Sequence, residues 1–487
     1  MMQSDPEQSR LPLIIQGGMG VGVSNWRLAK AVSTRGQLGV VSGTALAAVL
    51  VRRLQDGDPA GDMRRALAAC PLRDAARSIE ERYFFKGGRA LSQPYRLTPL
   101  YSVASPDDLI ILTIVGNFTE VWLAKEGHSG VVGINLLEKI QLPTLASLYG
   151  AMLAGVDYIL MGAGIPRSIP GAIDLLAIGH KAEMKILVEG DSSGGTHHIS
   201  LDPTQFTGSP APILRRPKFL AIVSSSALAT TLARKSNGRV DGLIVEGVTA
   251  GGHNAPPRGA PQFNERGEPI YGPRDTPDLN AIKALGLPFW LAGSYAHPDQ
   301  LKAALAVGAT GVQIGTAFAF CEESGLTSEI KLAVLRRSAA GTLSLLTDPR
   351  ASPTGMPFKV VDLYGTVSDP EVYEQRARTC DMGYLRQAYQ KEDGTVGFRC
   401  PAEPEASFIR KGGDPAEAVG RKCLCNGLMA AIGLGQAISD GTAEPPIVTA
   451  GDDVRDLSRF VTGENFSYHA ADVLKFMLSE SSGGPVS

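Results

Sequence analysis

The sequence predicts an α/β chain on a closed (β/α)₈ TIM barrel, with insertions and an added mixed C-terminal region. Three observations carry this prediction. Short apolar runs alternate with helical patterns through residues 11–318. Eight such runs can be counted, the number at which consecutive βα units close on themselves. Several runs end in small residues, where a barrel of this kind builds its site. An open doubly wound sheet shows the same alternation and is the structural alternative.

The elements follow in order. Leu11 to Gln16 (LPLIIQ) is an apolar run closed by Gly-Gly-Met-Gly, the pattern of a buried parallel strand and its loop. Ser24 and Asn25 offer a helix N-cap, and Trp26, Leu28, Ala29 and Val32 share one helical face. Gly36 ends that helix, and Leu38 to Ser42 is the next strand. Further strands are expected at Gly130 to Leu136, Val156 to Met161, Phe219 to Ser224, Gly242 to Glu246, Phe289 to Ala292 and Gly311 to Ile314. Helices are expected at Thr144 to Ala154, Gly171 to Gly179, Ser226 to Lys235, Thr276 to Leu285 and Pro298 to Val307. Two stretches break the rhythm. Residues 44–128 are too long for one connecting helix, and ERYFFKGGRALSQPYRLTPLYS within them reads as an inserted hairpin or lid. Residues 184–217 add an extra strand, MKILVEG, and a Ser/Gly/His/Pro loop. This gives a barrel over 11–318 with insertions near 44–128 and 184–217. A post-barrel region, 319–487, begins with a helix from Glu322 to Ala340 and continues as a separate mixed stretch.

Composition narrows the class. The chain has 487 residues, 44% of them hydrophobic and 20% charged, an ordinary globular balance. Its net charge is −2, with no basic stripe of the kind that marks a nucleic-acid surface. The start, MMQSDPEQSR, lacks the basic end and apolar stretch of a signal peptide. No apolar run approaches the roughly 20 residues needed to span a bilayer. The expectation is a soluble cytoplasmic protein that engages neither nucleic acid nor membrane. Six Cys in such a length form no disulfide framework.

Chemistry belongs at the carboxyl ends of the strands. After the first comes Gln16-Gly17-Gly18-Met19-Gly20, and after the sixth Glu246-Gly247-Val248-Thr249-Ala250-Gly251-Gly252-His253-Asn254. The seventh is followed by Gly293-Ser294 and the eighth by Gly315-Thr316. The loops after strands seven and eight commonly bind phosphate in this fold, with backbone N–H groups, hydroxyls and helix N-termini as donors. No P-loop and no dinucleotide Gly-x-Gly-x-x-Gly is present, which favours a mononucleotide phosphate. His253 is the leading catalytic candidate. An imidazole near neutrality moves a proton or hydrogen-bonds an oxyanion, and the glycines before it let its loop lie close over a ring. The pair His197-His198 sits in the inserted loop after Asp191-Ser192-Ser193-Gly194-Gly195-Thr196 and reads as surface. His128, His180, His297 and His469 have no supporting partners in sequence.

Three segments, VEGVTAGGHNAP, FWLAGSYAHPDQLKAALAVGATGVQIGTAFAF and IIQGGMGVGVSNWRLAKAVSTRGQLGVVSG, resemble the nitronate monooxygenase family, formerly the 2-nitropropane dioxygenases. That family includes the FMN-dependent enoyl-ACP reductase II enzymes and related reductases of fatty acid and polyketide pathways. The resemblance runs from about residue 11 to about residue 358, interrupted by the two insertions. It implies a (β/α)₈ barrel holding FMN without a covalent bond. On this resemblance Gly17, Gly18 and Met19 run beside the flavin ring. Asn135 and Ser224 are flavin contacts, and Glu246, Ala250 and Gly251 form the strand-six cofactor loop. Gly293, Gly315 and Thr316 form the phosphate site, and His253 matches the active-site histidine. Where the family often has a second glycine after strand seven, this chain has Ser294, whose hydroxyl still donates to phosphate.

Reduced flavin reacts with oxygen or passes hydride to an activated alkene. Two enzyme readings follow: a nitronate monooxygenase that needs no NAD(P)H, and an NAD(P)H-dependent enoyl-thioester reductase. With no Asp or Glu acid evident at the other strand ends, His253 carries the proton role in both. Ser352-Pro353-Thr354-Gly355-Met356-Pro357-Phe358-Lys359 is similar to the segment after the barrel in nitronate monooxygenases, while Gln16-Gly17-Gly18-Met19 is closer to the reductases. The broader family name puts nitronate oxidation ahead. The insertions suit a bulky or carrier-bound substrate, and a homo-oligomer is compatible. A third reading is an accessory flavin protein whose C-terminal region docks a partner. Cys380, Cys400, Cys423 and Cys425 all lie beyond the barrel. Four thiols would suffice for zinc or an iron–sulfur cluster, but buried free Cys is also a common core residue, and no metal ligand is assigned.

Overall fold

A computed structural model describes residues 11–191, 197–437, 443–461 and 466–479. The amino-terminal MMQSDPEQSR and the Ser192 to Thr196 part of the inserted loop lie outside the described residues. The apolar runs close into a barrel of eight strands. In chain order these are β1 (Ile14–Gln16), β2 (Leu38–Ser42), β3 (Val132–Leu137), β4 (Tyr158–Gly162), β5 (Lys218–Val223), β6 (Gly242–Glu246), β7 (Phe289–Ala292) and β8 (Gly311–Ile314). Every pairing is parallel, and β1 closes the ring by pairing with both β2 and β8. The open doubly wound alternative is thereby removed.

The strands are apolar on both faces because both faces are buried. Ile15, Val40, Leu160, Leu220, Ile244 and Trp290 form one core inside the barrel. Their chain neighbours Ile14, Val41, Ile159, Phe219, Val245 and Leu291 join the larger core under the helices. The period of two is the whole cause of this division. Gln16, fully buried, ties β1 to β2: its side chain donates to Val40 O (3.1 Å) and accepts from Val40 N–H (3.0 Å).

Helices follow as the capping residues dictate. Asn25 accepts from Leu28 N–H ahead of Trp26–Ser33, and Ser225 does the same from Leu228 N–H ahead of Ser226–Lys235. The helix expected from Glu322 starts later, at Ser328, because Thr327 caps it. The expected Thr276 to Leu285 helix shrinks to Leu279–Lys283 behind the cap of Asp278.

The insertions differ from expectation. Residues 44–128 hold four helices, Leu46–Gln55, Asp62–Ala69, Arg73–Tyr83 and Asp107–Lys125, and the expected hairpin at 81–102 has no strands. Its backbone donors are taken by buried side chains instead: Arg96 N–H donates to Gln55 Oε1 (2.7 Å) and Tyr95 N–H to Gln436 Oε1 (2.8 Å). The single strand expected over MKILVEG is split. Ala182–Lys185 pairs with His198–Leu201, while Val188–Glu189 joins a sheet with Gln387–Gln390 and Val396–Arg399. The second insertion is thus stitched to the chain beyond the barrel.

Residues after 341 do not stand apart. They cover the mouth of the barrel with the hairpin Leu345–Asp348/Phe358–Val361, the helix Leu424–Ala431 and the chain from Ile447 to Asp453. No helix among the described residues is long and apolar enough to cross a membrane.

Candidate functional site

A cavity of about 220 Å³ lies at the carboxyl ends of the strands, under this cover. Three other pockets hold only about 10 to 30 Å³ each. From the barrel come Gly17, Gly18, Met19, Asn135, Glu246, Ala250, Gly251, His253, Gly293, Ser294, Gly315 and Thr316. These residues were singled out from distant parts of the sequence, and the fold brings them to one wall. Ser224 is not among them. The chain turns out of β5 at Val223, and Ser224 lines a small outer pocket with Gly247, Asn254 and Tyr271, leaving Ile222 to face the large cavity.

The loop carrying His253 is pinned from both sides by the cover. Gly252 N–H donates to Thr449 Oγ1 (2.9 Å), and Asp452 N–H donates to Thr249 O (3.0 Å). Across from them, Lys359 N–H donates to Gly252 O (3.0 Å) and Asn254 N–H to Pro357 O (2.9 Å). A Cβ on Gly251 would stand 2.6 Å from the Ala450 carbonyl carbon, so this glycine is required by the cover. His253 Nε2 lies 2.7 Å from Ser352 Oγ, and its ring meets Phe358 edge-on, centroids 4.9 Å apart. Burial pushes the imidazole down to about 4, so it is neutral near pH 7. Of the seven histidines, His253 is the one on this cavity wall. His297 caps the helix Pro298–Ala306, His469 meets Glu323 at the surface, and His197 and His198 belong to the outer hairpin.

Two acids on the cavity wall are raised in a way the sequence did not signal. Burial pushes Glu246, at the end of β6, up to about 7 with no charged partner to oppose it. Asp453, from the cover, is also raised by burial. Glu246 was legible as a strand-end residue, but its titration depends on enclosure that no local pattern records. Asp453 carried no sequence signal. Gln313 was also overlooked as a contact, although the Gln-x-Gly-Thr pattern at the end of β8 contains it.

Four buried polar atoms on this cavity have no protein partner: Asn135 Oδ1, Ser294 Oγ, Gln313 Oε1 and Asp453 Oδ1. Native proteins leave few such groups, because each costs the desolvation of a hydrogen-bonding atom. Four around one cavity are the signature of a polar ligand. Ser294 adds to this, since its backbone has φ +56°, a left-handed conformation that favours glycine. Gly293 beside it has φ +101°. The helix expected to aid a phosphate after β8 is only four residues, Thr316–Ala319, so backbone N–H groups and hydroxyls are the donors available there. Among the described residues no Lys or Arg lines the cavity.

Residues 183–351 match a family model described as nitronate monooxygenase. That segment, about a third of the chain, is similar to the nitronate monooxygenase family. The chain is 34% identical over 120 residues to a nitronate monooxygenase of Pseudomonas aeruginosa, covering 25% of this chain and 32% of that protein. It is 35% identical over 121 residues to a probable nitronate monooxygenase of Bacillus subtilis, covering 25% and 33%. The matches therefore span about a third of the length of these curated relatives. Among solved structures, FabK from Thermotoga maritima aligns over 97% of this chain and 93% of its own, with TM-score 0.47 and 15% identity. Nitroalkane oxidase from Streptomyces ansochromogenes aligns over 97% and 96%, also with TM-score 0.47 and 15% identity.

Proposed function

We propose that the protein is an FMN-dependent oxidoreductase whose roofed cavity takes an activated alkene on an acyl chain, with NAD(P)H as the electron donor. The observation that carries this reading is the composition of the cavity. Unpartnered polar atoms lie on the barrel side, and apolar side chains of the cover, Leu385, Leu424, Leu428 and Ile447, face them. The polar side suits a flavin and its phosphate. Gly17, Gly18, Met19, Asn135 and Gln313 would hold the ring, and Gly293, Ser294, Gly315 and Thr316 the phosphate. Ser224 drops out of this set. Bound there, FMN supplies hydride transfer. The apolar side suits a hydrocarbon tail, which a small alkyl nitronate does not have.

His253 and Glu246 divide the proton work by their burial. A neutral imidazole at pH 7 stores no spare proton, so His253 serves best by hydrogen-bonding the substrate carbonyl, with Ser352 holding its Nε2. Glu246, half protonated near neutrality, is matched to delivering a proton from its carboxyl oxygen to the carbon beside that carbonyl. Burial raises Asp453, which weakens its repulsion of a phosphate bound nearby.

A second reading, nitronate oxidation with O₂ through FMN, is favoured by the family match over residues 183–351 and by the curated relatives. There His253 would hydrogen-bond the nitro oxygens. One experiment separates the two. The flavin-loaded protein is mixed anaerobically with NAD(P)H, and separately with an alkyl nitronate, and flavin absorbance is followed. The reductase reading expects bleaching by NAD(P)H and reoxidation by an enoyl thioester. Bleaching by nitronate alone would replace it with the second reading. A protein that binds FMN and is bleached by neither would be an accessory flavin protein.

A further inference from the structure

Four of the six cysteines, far apart in sequence, converge on one small cavity in the cover. Cys380 lies beyond the helix Pro370–Gln375, and Cys400 follows the strand Val396–Arg399. Cys423 caps the helix Leu424–Ala431, and Cys425 sits in its first turn. All four line a single pocket, and all are free thiols. Cys70 and Cys321 are instead buried separately in the main core.

Burial by itself pushes all four thiols up, yet polar groups stand around each sulfur. Backbone N–H groups donate to three of them: Ala402 to Cys400, Asn426 to Cys423, and Tyr384 and Leu385 to Cys425. Arg386 lines the same pocket, and its charge interacts with Cys380, Cys400 and Cys425. Lys411 adds a second positive charge near Cys380, paired with Glu403, whose carboxylate lines the same pocket. Amide donors and nearby cations are the outer partners that stabilise sulfur ligands of a metal. For plain core cysteines neither is required, since a buried neutral thiol packs as a small hydrophobe.

We propose that Cys380, Cys400, Cys423 and Cys425 form one four-thiolate metal centre, with an iron–sulfur cluster as the occupant their spacing favours. Among the described residues no three His, Cys, Asp or Glu side chains are drawn together as a site for a single ion. A four-iron cluster takes each thiolate on a different iron, so its ligands stand around a cavity and need not meet at a point. The Cys423-Leu424-Cys425 spacing also differs from the Cys-x₂-Cys knuckle of zinc ribbons. Leu385, Leu424 and Cys425 line both this pocket and the large cavity, so the centre would fix the loops that wall the substrate side. The inference does not depend on which substrate that cavity takes.

The test uses the full chain, purified without oxygen and reconstituted with ferrous iron and sulfide. Iron, acid-labile sulfide and zinc per chain are measured, and the dithionite-reduced protein is examined by electron paramagnetic resonance. The expected result is iron with matching sulfide in stoichiometric amount and a cluster signal. Both should fall to background in Cys423→Ser and Cys400→Ala and persist in Cys70→Ala. Far-UV circular dichroism and flavin content of each variant distinguish ligand loss from unfolding. Stoichiometric zinc lost in the same variants would keep the four-thiolate centre and overturn the cluster. Only traces of metal in the wild-type protein after reconstitution, or metal that a well-folded Cys423→Ser variant retains, would overturn the centre itself.

Discussion

The barrel rim and the C-terminal cover meet around one cavity, yet they are built on opposite terms. The rim offers backbone and small residues: β1, β6, β7 and β8 each end in a turn of glycines or small side chains whose positions the strands fix. The cover offers side chains, mostly large and apolar, on short helices, loops and one two-stranded hairpin outside the barrel sheet. Its position is set instead by buried polar ties. Arg52 pairs with Asp381 at 3.0 Å and donates to Leu434 O at 2.6 Å, and Tyr101, on the first insertion, faces Tyr384 with ring centroids 5.4 Å apart. The contrast teaches a division of labour. A rigid rim suits a resident cofactor that is always the same molecule, and a side-chain roof suits selection among substrates.

That division can be broken or sharpened by substitution, taken from the largest effect to the smallest. His253→Ala is expected to lower kcat by about 10²–10⁴ while FMN stays bound, because the loop is pinned by backbone hydrogen bonds that the variant keeps. Steady-state kinetics beside flavin stoichiometry check this, and full activity would remove His253 from the mechanism. Asp381→Ala leaves the Arg52 guanidinium buried without its carboxylate, the two side chains being 5% and 10% exposed. It is expected to cost about 3–5 kcal/mol in chemical denaturation. If the cover were an independent unit, the barrel would unfold unchanged.

Glu246 gives a pH test with a definite sign. Its folded-state value is raised from 4.5 to about 7, so the folded protein holds a proton that the unfolded chain has released. Stability is therefore lost as pH rises from about 4.5 through 7, by about 3 kcal/mol. Glu246→Gln should flatten that loss in denaturation curves at pH 5 and pH 8, and should also remove a kinetic inflection near 7. Leu428→Ala, on the roof, is expected to raise KM for a long-chain substrate by about tenfold and leave FMN affinity unchanged. A matching loss of FMN would blur the line between rim and cover. Smallest is Ser294→Gly. Relief of the left-handed backbone should stabilise the protein by about 1 kcal/mol, while loss of the hydroxyl weakens FMN binding about fivefold. Thermal melting and flavin titration read the two effects separately.

Legibility in the sequence followed the same line. β2, β6, β7 and β8 lie where the apolar runs predicted them to the residue, because a strand buried on both faces and ended by small residues has sharp edges in sequence. β1 was read three residues too early, since Leu11 to Leu13 are apolar without being paired in the sheet. The rim residues were legible for the same reason as the strands, with Ser224 misplaced by the turn at the end of β5. The cover was not legible as part of the site. Leu428 lies on an eight-residue helix, Ile447 in a loop and Asp453 at the start of a 3₁₀ segment, short pieces whose periodicity says only that they are partly buried.

By itself, then, the sequence determined the barrel, the ends of β1, β2, β6, β7 and β8 and the glycine-rich turn that carries His253, all of which follow from local patterning of side chains along one chain. Only the tertiary structure decided that the post-barrel chain roofs the cavity, that burial raises Glu246 toward 7 while lowering His253 toward 4, and that four scattered thiols share one pocket. Those depend on enclosure and on distances between segments remote in sequence. Burial is a property of the folded whole, which no run of neighbouring residues encodes.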